Sequence, residues 1–333
     1  MWFEELTGFC EDNPEQVRNN ISVNSDILMS HINGKEYICG LLEVSSLGTL
    51  KERVKKSKCS SSKISVRELV ADVQKLHTDP ANAGALFQVA SQFNLLEMVS
   101  PHVTPEQGVG RYEFDLTQGP ACAIAAGAGT IYRNYFVKIN EEQGQTVNNQ
   151  IDCLADLGIA LGNANNNFWK MKNGYVLANK EGLQSIKKQL KSATESEIEA
   201  LKRILKIGIQ WDTQVTLNNA RHLVSQAYCS ALPIAYSQHS LEQWFDFAKI
   251  VLEASYEATI CAGILNFLKT GNNKVFLTLV GGGVFGNDIS WIIDAIHRTL
   301  NLYSHYGLDI VIVSYGSSNK YVREFIHEFN NIK

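Results

Sequence analysis

Val275-Phe-Leu-Thr-Leu-Val280, followed by Gly281-Gly-Gly-Val-Phe-Gly286-Asn-Asp288, joins an apolar strand to a glycine loop and then to a helix. Glycines let backbone N–H groups approach an anion closely, and a helix N-terminus adds unsatisfied donors and a favourable dipole. A phosphorylated ligand is therefore expected at Gly281, Gly282, Gly283, Val284, Phe285, Gly286 and Asn287. Asn287 or Asp288 caps the helix. Its apolar side runs through Ile289, Ile292, Ile293, Ile296 and Leu300, the spacing that packs a helix on a sheet.

A plain strand-to-helix turn would use the same glycines, but strand, glycines, cap and amphipathic helix stand in the order phosphate binding requires. Gly281, Gly283 and Gly286 also spell the G-x-G-x-x-G of a dinucleotide fold, which wants an acid about 20 residues on, at the end of the next strand. The next apolar run, 308–313, has its only acid near its start and ends in Ser314-Tyr315-Gly316. A dinucleotide unit opening at Val275 would also have little chain left for the rest of its sheet, so that reading is set aside.

The chain of 333 residues, 45% hydrophobic and 19% charged, has the composition of a soluble globular protein with an ample core. A net charge of −4 and a pI near 6.1 argue against nucleic acid as the partner. Seven scattered cysteines without a C-x-x-C pair and eight dispersed histidines point to neither a disulfide framework nor a metal site. The start, Met1-Trp-Phe-Glu-Glu, has no basic and apolar leader pattern, and no run of 18 apolar residues occurs. A cytoplasmic protein without membrane attachment is expected.

Residues 1–36 read as a helical N-terminal extension with a helix start at Pro14, and 37–333 as one α/β domain with an insertion around 140–203. Strands are expected at 37–44, 84–90, 204–210, 228–234, 275–280 and 308–313. Helices are expected at 66–76, 148–161, 181–203 and 241–268, with a hairpin turning at Asn173-Gly174. Six cations between Lys51 and Lys63 read as a solvated helix end and loop. The Gly- and Pro-containing segment 101–119 is long enough to suggest function, and the small residues after Pro120 let a helix pack closely.

The run 279–288, with a long helix before it and an apolar strand after it, resembles the diphosphate loop of a macrodomain. Its Phe-Gly-x-Asp ending is similar to the version in poly(ADP-ribose) glycohydrolases. The segment 87–94 resembles the macrodomain strand that ends in a ribose-binding Asn, and 118–127 is similar to the glycine-rich catalytic loop and its helix. The likeness covers 37–136 and 241–316. It implies a macrodomain-like three-layer α/β/α fold with a mixed central sheet and insertions. It also implies ADP-ribose as ligand or product, no required cofactor, and an ADP-ribosylated protein as partner.

Ligand contacts are then expected from Phe93, Asn94, Gln118, Gly119, Gly127, Ala128, Gly129 and Thr130, together with the 281–287 loop and Tyr315. A narrower likeness, to MavL-like hydrolases that remove ADP-ribose from arginine of ubiquitin, implies an arginine linkage on ubiquitin. The paired glutamates of the glycohydrolase signature are absent, since 121–130 contains no carboxylate. No catalytic acid is carried over from the resemblance.

Cleavage at an anomeric carbon passes through an oxocarbenium-like state, so a carboxylate is needed to activate water or stabilise positive charge. Asp115, before the small-residue helix, serves as a catalyst or as a loop tether. Asp152 and Asp156, at i, i+4 on one helix face, serve as catalysts or as a solvated face. Asp288 is assigned to capping, and Cys122 to a small buried side chain rather than a nucleophile. Two further functions stay open: a non-catalytic ADP-ribose reader, and a hydrolase of free ADP-ribose derivatives.

Overall fold

Strands covered by helices on both faces must be apolar on both faces, and Leu86–Ala90, Lys274–Leu277 and Asp309–Ser314 are buried in that way. The computed structural model describes residues 1–57 and 62–331. Its main sheet has seven strands, numbered here in chain order: β1 (Leu41–Ser46), β2 (Ser65–Val70), β3 (Leu86–Ala90), β4 (Lys206–Gln214), β5 (Leu223–Cys229), β6 (Lys274–Leu277) and β7 (Asp309–Ser314). Their order across the sheet is β1-β4-β5-β3-β6-β7-β2. From β5 to β2 all neighbours are parallel, whereas β4 runs antiparallel to β5 and to β1.

Alternation along β3 shows the layers. Phe87 stacks on His77 of the helix Val73–Thr78, ring centroids 3.8 Å apart, while Gln88 donates to Thr259 of the long helix Leu241–Thr270 on the opposite face. Three layers around a mixed sheet are what the resemblance to macrodomains implies. The long helix opens on a Ser240/Gln243 capping box and closes on Gly271 in the left-handed conformation. Length and composition would let it cross a membrane, yet 89% of its most apolar window is buried within the protein. On it, Glu257 is closed to solvent and held by Lys51 and by Arg298 at 2.7 Å.

Several expected elements shift, each for a local reason. Residues 66–76 are not one helix: β2 pairs along its length with β7, and Asp72 then caps Val73–Thr78 by accepting from Gln74 N–H. The expected helix 148–161 shrinks to Ala155–Ala160, because Asn149 is tied into a turn by Thr146 and Ile139. The expected helix 181–203 breaks into Lys180–Ser192 and Glu195–Ile204 where Thr194 forms a capping box with Glu197. The strand placed at 228–234 lies earlier, as β5, since Pro233 has no N–H to give a ladder.

Residues 1–36, expected to be helical, hold two short helices, Trp2–Thr7 and Pro14–Asn20. Two strands follow, Ile21–Asn24 and Ile27–Ser30, in a small sheet completed by Glu36–Ile38. Phe3, Val17, Ile21 and Leu28 share an apolar cluster with Leu96, Tyr112, Ala128 and Ile131. Of the cations between Lys51 and Lys63, Lys51 and Arg53 are paired with Glu257 and Glu43, and Lys58 lies outside the described residues.

Candidate active site

Open sheets of parallel strands bind ligands beyond the carboxyl ends of those strands. Here the chain leaving β3, β5 and β6 surrounds a cleft of about 440 Å³. The loop after β6 forms one side. Gly281, at φ +80°, packs its α-carbon against Ala231, where a Cβ would collide. Asn287 closes the loop: its N–H donates to Gly281 O at 2.9 Å and its side-chain amide to Leu232 O at 2.8 Å. Tyr256 from the long helix secures the base, donating to Thr278 O and accepting from Val280 N–H. Among the described residues, the N–H groups of Gly283, Val284 and Phe285 have no protein acceptor.

The opposite side is the N-terminus of the helix Gln118–Ala125, which has no side-chain cap. Gln118 docks it onto the end of β3, accepting from Ala90 N–H at 2.9 Å and donating to Gln88 O at 2.8 Å. Gly119 lies so close to β3 that a Cβ would strike the Ala90 carbonyl. Gln118 and Gly119 thus bring free backbone donors to the cleft, facing those of the glycine loop.

The segment 115–118 is a wall between this cleft and a second chamber of about 480 Å³ that contains Asp72, Val73 and Tyr315. A third chamber, about 210 Å³ and mostly apolar, lies beyond Met98 and Phe114 and reaches Val103 and Arg111. Tyr175, Tyr236 and Phe285 cluster on the main cleft's wall with ring centroids 5.2 to 5.8 Å apart. Tyr175 comes from the hairpin Trp169–Ala178, so the insertion contributes to the site.

Glu97 lines both the main cleft and the apolar chamber. Its side chain is closed to bulk water, and among the described residues neither carboxylate oxygen makes a hydrogen bond of ordinary length; Arg133, 3.6 Å away and equally buried, is a charged neighbour. Burial pushes the Glu97 carboxyl up to about 8, with Arg133 pulling the other way. Arg133 lies 3.7 Å from the Tyr228 ring centroid and donates to Leu95 O.

No family model and no curated protein matches the chain. Similar solved structures include a poly(ADP-ribose) glycohydrolase from Deinococcus radiodurans in complex with ADP-ribose, at 10% identity and a TM-score of 0.47, covering 88% of this chain and 95% of that one. The apo form of that enzyme has 9% identity and a TM-score of 0.44, covering 87% and 93%. A poly(ADP-ribose) glycohydrolase from Thermomonospora curvata bound to the inhibitor ADP-HPD has 10% identity and a TM-score of 0.44, covering 96% of both chains.

Of the residues singled out in the sequence, Gly281, Gly283, Val284, Phe285, Gln118, Gly119 and Asp115 meet at the main cleft, and Tyr315 stands in the second chamber. Gly282, Gly286 and Asn287 shape the glycine loop without lining the cleft. Asn94 is fully buried away from it. Its side chain accepts from Leu96 N–H at 3.1 Å and donates to Gln150 at 2.9 Å, so it fixes the 94–98 turn. Phe93 belongs to the core.

Gly127, Ala128, Gly129 and Thr130 are buried in a short helix pressed against Trp2, Cys39 and Thr213, where small size serves close packing. Asp156 pairs with Lys206 at 2.7 Å, and Asp152 accepts from Leu154 N–H at 2.8 Å; neither lines the cleft. Asp288 caps its helix through Ser290 N–H, and Cys122 is fully buried with its thiol pushed up by that burial. Glu97, Tyr175, Tyr236 and Asp72 escaped the sequence reading. For Glu97 the one available signal was a lone acid in the apolar run 93–99, which is costly unless it is paired or used.

Proposed function

We propose that this cleft binds ADP-ribose and that the chain hydrolyses an ADP-ribosyl bond on a modified protein. One observation carries the reading: unpartnered N–H groups of residues 283–285 face an uncapped helix N-terminus across a cleft at the strands' carboxyl ends. Two rows of donors without an attached cation suit a diphosphate. The flanking chambers suit its two ends. Tyr315 and Asp72 offer a stacking face and an acceptor for an aminated base, while Tyr175, Tyr236 and Phe285 offer an apolar wall for the other ribose.

Asp115 is the acid from the sequence candidates that reaches this space, where it lines all three chambers. The finer reading, an arginine linkage on ubiquitin, rests on the sequence likeness to MavL-like hydrolases. No cofactor is invoked.

Calorimetric titration with ADP-ribose tests the binding, with Gly283→Glu as control. Gly283 has open space around a Cβ, so the variant folds and loses affinity at least tenfold. Unchanged affinity rejects the site. Turnover is tested on peptides ADP-ribosylated through arginine, serine and glutamate; binding without any turnover leaves a reader.

A further inference from the structure

We infer that Glu97, held by Arg133, is the carboxyl that protonates the leaving group, with Asp115 taking the proton from the attacking water. The inference rests on the hydrolase reading and names the catalyst within that site.

Three observations converge. First, Glu97 and Asp115 line both the main cleft and the apolar side chamber, so a bond between a sugar in one and a leaving group in the other would cross between them. Second, both Glu97 oxygens are buried and make no hydrogen bond of ordinary length among the described residues, an arrangement native interiors avoid unless the group has a use. Third, its backbone is immobilised. Glu97 N–H donates to Tyr112 Oη at 3.0 Å, Met98 N–H to the Gln92 side chain at 2.7 Å, and Tyr175 Oη to Met98 O at 2.5 Å. One of these bonds holds Glu97 itself and two hold its neighbour Met98.

The two carboxyls differ in the way paired acids in glycoside hydrolysis differ. Glu97 is closed to water, and burial favours its protonated form. Asp115 is half-buried, with one oxygen taken by Thr117 N–H at 2.9 Å and the other free. In the reaction Glu97 passes its proton to the leaving atom as the bond from that atom to the anomeric carbon breaks, the bonding pair going with the leaving group. Water adds its oxygen to the anomeric carbon and gives a proton to Asp115. With product gone, water filling the cleft that both carboxyls line relays that proton from Asp115 back to Glu97, restoring the starting protonation of each.

Arg133 is a positioning residue. It stacks on Tyr228, faces Glu97 from below and limits how far burial raises its carboxyl. The other titratable groups coupled to Glu97 are Tyr112, Asp115, Cys122 and Tyr228.

The test uses the full chain and the ADP-ribosylated peptide it turns over. Glu97→Gln keeps the shape, so ADP-ribose affinity should stay within about threefold of the wild type while turnover falls at least a hundredfold. The wild-type rate should also decline as pH rises through about 8, and Glu97→Gln should lack that limb. Turnover within threefold of wild type in a folded Glu97→Gln variant overturns the assignment. A wild-type rate flat from pH 6 to 9 overturns it as well, even if the variant fails to fold. Wild-type protein that binds ADP-ribose but cleaves no linkage ends the catalytic claim and leaves the binding site standing; absence of ADP-ribose binding ends both.

Discussion

Gly119 lies against Ala90 so tightly that no side chain fits between them, and this contact sets the mouth of the cleft. It brings the N-terminus of the helix Gln118–Ala125 to the end of β3, with Gln118 supplying the hydrogen bonds the strand end would otherwise lack. Gly119→Ala would drive a methyl into the Ala90 carbonyl and toward Glu97. Overpacking of this kind costs roughly 1–3 kcal/mol. The melting temperature should drop, and ADP-ribose affinity should fall with it as the helix is pushed away.

The glycines of the 281–286 loop are not equivalent. Gly281 is left-handed at φ +80° and abuts Ala231 and Asn287, whereas Gly283 has an ordinary φ and empty space where a Cβ would go. Gly281→Ala should destabilise the protein by about 1–3 kcal/mol. Gly283→Ala should fall within about 0.5 kcal/mol of the wild type. Urea titration of the two variants measures the difference directly.

Asp152 and Asp156 should prove structural. The Asp156–Lys206 pair is surface-exposed and contributes about 0–1 kcal/mol. Asp152 stabilises the entry to Ala155–Ala160, and its burial, opposed by the Leu154 N–H bond, raises its carboxyl above the usual range. Asp152→Asn and Asp156→Asn should each keep turnover within about threefold of the wild type; a hundredfold loss in either would move the catalytic centre.

Acid should destabilise the protein through His77. Its ring is buried against Phe87, with Nδ1 2.8 Å from Val73 O and Nε2 3.0 Å from the Gln226 amide, and burial lowers its pKa from 6.5 to about 4. Above pH 6.5 the imidazole is neutral in both folded and unfolded chains, so it adds no slope. Between 6.5 and about 4 the unfolded chain takes up a proton that the folded protein refuses, and stability falls as pH falls. Melting curves across that range should show a steeper loss for the wild type than for His77→Gln.

The central elements were legible because their signals are local. An apolar run ending in three glycines and a capping Asp reads as strand, loop and helix without knowledge of the rest, and Asp288 caps its helix as expected. The long helix 241–270 and the Asn173-Gly174 hairpin follow from periodicity and turn chemistry in the same way. Residues 66–76 depart from the helix their local pattern predicts because β2 is held by its ladder to β7, 244 positions away at Ser65 and Asp309, and no local pattern records such a partner.

The site divides along the same line. Backbone donors at 283–285 and 118–119 depend on glycine and helix ends, which sequence displays; side-chain roles depend on which face turns toward the cleft. Asn94 and Glu97 differ by three positions, yet the turn at 94–98 buries the first as a tether and places the second at the cleft wall. Asp115 and Asp152 are both acids near turns, but only the path of the 101–117 loop carries Asp115 to the chambers. Sequence alone determined that a glycine loop and an Asp288-capped helix follow a buried strand. Tertiary structure decided which carboxyls share that space, because burial and opposition across a cleft are properties of packing between segments far apart in the chain.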